Sequence, residues 1–162
     1  MKEWIVVLRA ADMAARWHFD QRQATGGADP DVVVAALLHD VVEDAGITSD
    51  KISKEFGQRV ADIVMEVTDD KSLPKDERKR LQVEHAPRKS RQAKLIKMAD
   101  KISNLRTVAT SPAADWSVER RLEYIEWAKA VVAGLRGTWP WLEGQFDEAA
   151  EGAVGSLDPA LI

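Results

Sequence analysis

Apolar residues recur at helical spacing along nearly the whole chain, and the strict alternation of a strand is scarce. Ile5, Leu8, Ala11, Ala15 and Phe19, with Trp4 and Trp17 adding bulk, predict a first helix over roughly Lys2 to Gln23. Asp29-Pro30 predicts the start of a second, Asp as N-cap and Pro at the first helical position, and Gly46 predicts its end. A short helix over Lys51 to Phe56 is closed by Gly57, and Val60, Ile63, Val64 and Val67 form the apolar face of the next, to about Thr68. Asp69 to Pro74 is a polar connection, and Lys75 to Ala86 is dense in charge, the usual composition of a solvated helix face. Further helices are predicted from about Ser90 to Ala109, from Asp115-Trp116-Ser117 to Gly137, and from Trp139-Pro140-Trp141 through Ala150, with a frayed tail from Gly152. The expected class is all-α, one helical-bundle domain over residues 1–150 with a C-terminal tail at 151–162.

Two of the apolar segments carry polar groups that a plain core helix would not. Ala35 to Gly46 holds His39, Asp40, Glu43 and Asp44 among Val, Leu and Ala. His39 and Glu43 are four apart, as are Asp40 and Asp44, so each pair stacks one turn apart and the two rows lie side by side. Burying four such groups without a partner is costly, and a divalent metal with its water and a substrate is one partner that meets the cost. Alone, a His-Asp pair on a helix reads more often as a surface pair or a satisfied core histidine. The second segment, Lys94 to Arg106, repeats the anomaly: Lys97, Asp100 and Asn104 make one polar stripe on a helix rich in Leu, Ile and Met.

Composition narrows the class. The chain has 162 residues, 45% hydrophobic, enough for one domain with a real core. Its net charge of −4 argues against a dedicated nucleic-acid binder. There is no cysteine, hence neither a disulfide framework nor a thiolate ligand. The apolar runs are far too short to span a bilayer, and the expectation is a cytoplasmic protein with no membrane partner. Oligomeric state is not legible.

The segments Leu37-Leu38-His39-Asp40-Val41-Val42-Glu43-Asp44-Ala45-Gly46-Ile47-Thr48 and, some sixty residues on, Lys94-Leu95-Ile96-Lys97-Met98-Ala99-Asp100-Lys101-Ile102-Ser103-Asn104-Leu105-Arg106-Thr107 resemble the HD-superfamily metal-dependent phosphohydrolases. More narrowly they are similar to the guanosine tetraphosphate hydrolase domains of the RelA/SpoT type in their small stand-alone form, as in the metazoan SpoT homologues. The resemblance runs from about Ala10 to Phe146 and implies an HD-type helical bundle. It implies one Mn²⁺ per chain held by His39, Asp40 and Asp100, with Glu43 and Asp44 orienting or deprotonating the attacking water. A neutral His with carboxylates suits a borderline or hard divalent ion, and the resemblance rather than the ligand set selects manganese. Lys97 is expected to offset phosphate charge or brace Asp100, Asn104 and Tyr124 to contact the nucleoside, and Arg22 to meet phosphates. Tyr124 reads equally as a core aromatic with its hydroxyl at the surface. Ala15, His18 and Gln21 match an A-x-x-H-x-x-Q element, where His18 reads either as a pocket residue or as a brace for the core. The implied reaction is hydrolysis of the 3′-pyrophosphate of guanosine 3′,5′-bis(diphosphate), giving pyrophosphate and GDP or GTP.

One departure stands out. The family follows the His18 element with a basic Arg-Lys pair and a G-x-P-Y-x-x-H-P segment whose His is a metal ligand. Here Gln21-Arg22-Gln23 leads straight to Ala24-Thr25-Gly26-Gly27-Ala28-Asp29-Pro30, and the three histidines of the sequence are His18, His39 and His85. Either a segment between about Arg22 and Gly27 is missing from this sequence or the protein lacks it. Ala24-Thr25-Gly26-Gly27 reads like the end of a lost helix with its Gly cap, which favours the first. The competing functions are an HD phosphohydrolase acting on another nucleotide, NADPH included, and an inactive HD protein that binds nucleotide. His85 reads as a helix-terminal histidine, and Trp139 and Trp141 as packing residues.

Overall fold

The computed structural model describes residues 29–45 and 47–157, without the side chains at positions 40, 41 and 43–45. The predicted helix from Lys2 to Gln23, with His18 and Arg22, lies outside them, as does Gly46. Every regular element among the described residues is helical, as the periodicity predicts. The chain divides into two units, residues 1–73 and 74–162.

In the first unit, α1 (Pro30–Ala45), α2 (Ser49–Phe56) and α3 (Gln58–Val67) follow the predicted order. The Asp29 carboxylate caps α1 by accepting from the Asp31 amide at 3.2 Å. Arg59 at the start of α3 then pairs with both Asp29 and Asp31, tying the two helix N-termini together. Val32, Ala35, Ala36 and Val42 make a buried stripe on α1, and Val60, Ile63, Val64 and Val67 do the same on α3, against which both α1 and α2 pack. Gly57 joins α2 to α3 at φ +93°, a left-handed conformation that favours glycine.

The second unit opens with α4 (Lys75–His85), which has no buried residue, in keeping with its charge. Arg80 bridges Glu77 and Glu84 on its outer face. A 3₁₀ turn, Ala86–Arg88, leads to α5 (Arg91–Thr110), which is capped by the Ser90 hydroxyl accepting from the Ala93 amide at 3.1 Å. Buried residues surround much of α5, among them Leu95, Ile96, Met98, Ile102, Leu105 and Val108, so it is the central element of this unit. Two more helices, α6 (Val118–Ala133), capped by Ser117, and α7 (Pro140–Gly155), pack on it.

Two ends differ from expectation. Helix α6 stops at Ala133 rather than at Gly137, and Gly134 follows it. Gly134 is its C-cap, with ordinary helical φ; a Cβ there would lie 2.8 Å from both Ala86 Cβ and Pro87 Cδ, so the close approach of the 3₁₀ turn is what asks for glycine. The frayed tail expected from Gly152 is instead the end of α7, which continues to Gly155 with Ala153 and Leu157 buried. Two small glycines in that turn made a core-facing segment look like a tail.

Candidate functional site

His39 lies on the buried stripe of α1, between Ala36 and Val42, and is 2% exposed. Its Nδ1 is 2.7 Å from the carbonyl oxygen of Ala36. A carbonyl only accepts, so Nδ1 carries the proton and in the neutral ring Nε2 presents the lone pair. This is how metal-binding imidazoles are commonly oriented, one nitrogen fixed by a backbone carbonyl and the other turned to the ion. Asp40, Glu43 and Asp44 follow on the same helix, Asp44 one turn beyond Asp40 and Glu43 one turn beyond His39. Their side chains lie outside the described residues.

Asp100 is held quite differently. On α5 the Asn104 amide donates to its Oδ1 at 2.9 Å, the i, i+4 contact implied by the polar stripe. The Lys101 ammonium donates to its Oδ2 at 3.0 Å. Asp100 is thus contacted at each of its two oxygens by a neighbour on its own helix. Lys101 was not singled out by the sequence reading, which offered Lys97 as the brace. A signal was there: Met98, Lys101, Leu105 and Val108 share one helical stripe, and all four are buried. Lys97 is also buried, 5% exposed.

Tyr124 on α6 comes to the same place. Burial raises its hydroxyl pKa well above the ordinary tyrosine value, the Asp100 charge adds to this, and a hydrogen bond with Asn104 pulls the other way. The hydroxyl therefore stays protonated at any physiological pH. Its ring meets Trp116 at 5.5 Å and Trp127 at 5.4 Å between centroids. Asp100, Asn104 and Tyr124, predicted separately, thus form one cluster, joined by Lys101 and Trp127. Trp139 is buried, as a packing residue is, whereas Trp141, whose ring meets it at 5.2 Å between centroids, is exposed; His85 sits exposed in the last turn of α4.

Among the described side chains no three His, Asp or Glu groups form a metal cluster, but the three carboxylates that accompany His39 on α1 are not among those side chains. The donor chemistry on view fits a divalent ion: an imidazole of fixed tautomer, and a carboxylate supported at both oxygens.

A family profile described as an HD domain matches residues 8–138, most of the chain. The chain belongs to the HD-domain family. Its HD relatives include a Xenopus tropicalis protein called guanosine-3′,5′-bis(diphosphate) 3′-pyrophosphohydrolase MESH1, 47% identical over 163 aligned positions that cover 88% of this chain and 91% of the relative. A Danio rerio protein of the same name is 57% identical over 120 positions, 74% of this chain and 67% of the relative. A solved HD structure, described as a metazoan ortholog of SpoT that hydrolyses ppGpp, superposes with a TM-score of 0.81 at 45% identity, covering 90% of this chain and 79% of that one. These matches establish the HD-type all-α fold expected from the sequence.

Part of the Xenopus relative has no counterpart in this chain. The Xenopus match spans 163 positions, yet 88% of 162 residues is only about 143, so about 20 positions of the relative have no counterpart here. The 120 positions shared with the Danio relative equal 74% of this chain and so contain no such deficit. No described helix is long and apolar enough to cross a membrane.

Proposed function

We propose that the protein hydrolyses the 3′-pyrophosphate of guanosine 3′,5′-bis(diphosphate), releasing pyrophosphate and GDP, or GTP from the pentaphosphate. The observation that carries this reading is its 47% identity across 91% of a relative called by that activity. His39, Asp40 and Asp100 would hold one Mn²⁺, which when bound supplies a more acidic water and positive charge against the phosphates. The oriented Nε2 of His39 and the doubly supported Asp100 carboxylate favour that role.

The remaining work falls to the chain. Glu43 and Asp44, one turn beyond His39 and Asp40, take the proton of the attacking water. The water oxygen bonds to the phosphorus next to the ribose, the bond from that phosphorus to the 3′ oxygen breaks, and a proton returns to that oxygen. Asn104 and the protonated hydroxyl of Tyr124 contact the nucleoside, with Tyr124 acting as a hydrogen-bond donor. Lys97 offsets phosphate charge, and Arg22 meets the phosphates from the N-terminal segment, where His18 shapes the pocket.

Incubation with Mn²⁺ and guanosine 3′,5′-bis(diphosphate) is expected to release pyrophosphate, a chelator to stop it, and added Mn²⁺ to restore it. Turnover of NADPH or another nucleotide instead would move the protein to a broader HD phosphohydrolase class. A second reading, an HD protein that binds nucleotide without turning it over, draws on the roughly 20 unmatched positions of its relative. Elemental analysis separates the two: near-stoichiometric metal supports the enzyme, and none supports the binder.

A further inference from the structure

Lys101 is a buried cation that the reaction above does not use. Its side chain is only 4% exposed, and an ammonium in such a place is costly unless it is well paired. Residues adjacent on a helix point about 100° apart and do not ordinarily meet. Lys101 nevertheless reaches Asp100 Oδ2 at 3.0 Å, so its four-carbon stem must curl back around the helix. What holds it there is Trp127, whose ring centroid lies 4.4 Å from the ammonium. That ring is itself fixed, because its Nε1–H donates to the Lys79 carbonyl of α4 at 3.1 Å. A chain of contacts therefore runs from the α4 backbone through an indole and an ammonium to one oxygen of Asp100, while Asn104 holds the other.

We propose that Lys101 is a positioning residue: seated on the Trp127 ring, it fixes the orientation of the Asp100 carboxylate toward the bound cation. The proposal rests on the assignment of Asp100 as a metal ligand. A buried ammonium used only for packing could be replaced by an apolar chain of the same length with little consequence for any ligand. A positioning ammonium could not, since the carboxylate would lose the contact that Lys101 makes with its Oδ2.

The test is Mn²⁺ binding by equilibrium dialysis on wild type, Lys101→Met and Lys101→Arg, alongside kcat, KM and thermal unfolding. Loss of a group supporting a ligand typically costs about 10–100-fold in metal affinity or activity. Lys101→Met is expected to weaken Mn²⁺ binding and kcat by about that factor, with KM for nucleotide little changed. Lys101→Arg, which keeps the charge and the ring contact, is expected to recover part of both. Should Lys101→Met unfold, Trp127→Leu, which removes the seat but not the charge, is expected to weaken Mn²⁺ binding in the same sense. Equal Mn²⁺ affinity in wild type and in the folded Met or Leu variant overturns the proposal alone. A wild-type chain that binds no Mn²⁺ overturns the metal assignment and this proposal with it.

Discussion

The imidazole of His39 and the carboxylate of Asp100 are oriented by opposite means. His39 sits within an apolar stripe, and the carbonyl of Ala36, one turn back on the same helix, fixes its ring. That one contact within α1 is enough to fix which nitrogen carries the proton. Asp100 depends on side chains: Asn104 from its own helix, Lys101 curled around it, and Trp127 and Tyr124 from α6. A rigid ring with two distinct nitrogens can be set by one backbone bond. A carboxylate that rotates about its last bond needs both oxygens held, and a long flexible side chain that holds one must itself be held.

That contrast can be broken most severely at Asp100. Asp100→Ala is expected to abolish pyrophosphate release while circular dichroism shows the helices retained; full activity would refute the ligand assignment. Asn104→Ala removes one of the two holds on the carboxylate and is expected to lower kcat by about 10–100-fold, measured by pyrophosphate release. Ala36 offers no comparable target, because its contribution is a carbonyl that substitution leaves in place.

A smaller effect concerns the scaffold alone. Ser90→Ala deletes the N-cap of α5 and is expected to lower stability by about 1 kcal/mol in denaturant unfolding, with activity per folded molecule unchanged. An equal fall in specific activity would show that the cluster feels the start of its helix. The gentlest probe is Tyr124, the single tyrosine of the chain, whose ionisation can be followed by ultraviolet absorbance without interference from another. Its folded-state pKa is raised above the unfolded value, so the folded chain keeps a proton that the unfolded chain releases at about pH 10. Stability from this group is intact below that pH and falls as pH rises beyond it. Asp100→Asn removes the second of the two causes of the shift and is expected to bring the titration down; an unmoved titration would separate Tyr124 from Asp100.

Most of this architecture was legible because periodicity and caps are local. Asp29-Pro30, Ser90 and Ser117 mark helix starts within one residue of those observed, and the polar stripe of Asp100 and Asn104 became a real contact. What escaped depends on contacts distant in sequence. Lys101 reads as an ordinary helical lysine until the indole of Trp127, on another helix, gives it somewhere to sit. Gly134 could not be told from Gly137 as a boundary, because the difference is the approach of Ala86 and Pro87 from nearly fifty residues away. Leu157 looked like tail because the two glycines before it, Gly152 and Gly155, gave no sign that it would return to the core.

The indole that seats Lys101 meets Lys79 twice: the carbonyl accepts its Nε1–H, and the ammonium stands 5.2 Å from its ring centroid. Every amino acid brings the same carbonyl, so a substitution at 79 gives up the second cation on the ring but keeps the hydrogen bond, provided the helix persists. Position 127 has no such latitude. Tolerance to mutation at this end of the molecule should therefore be sharply uneven between two residues that touch each other.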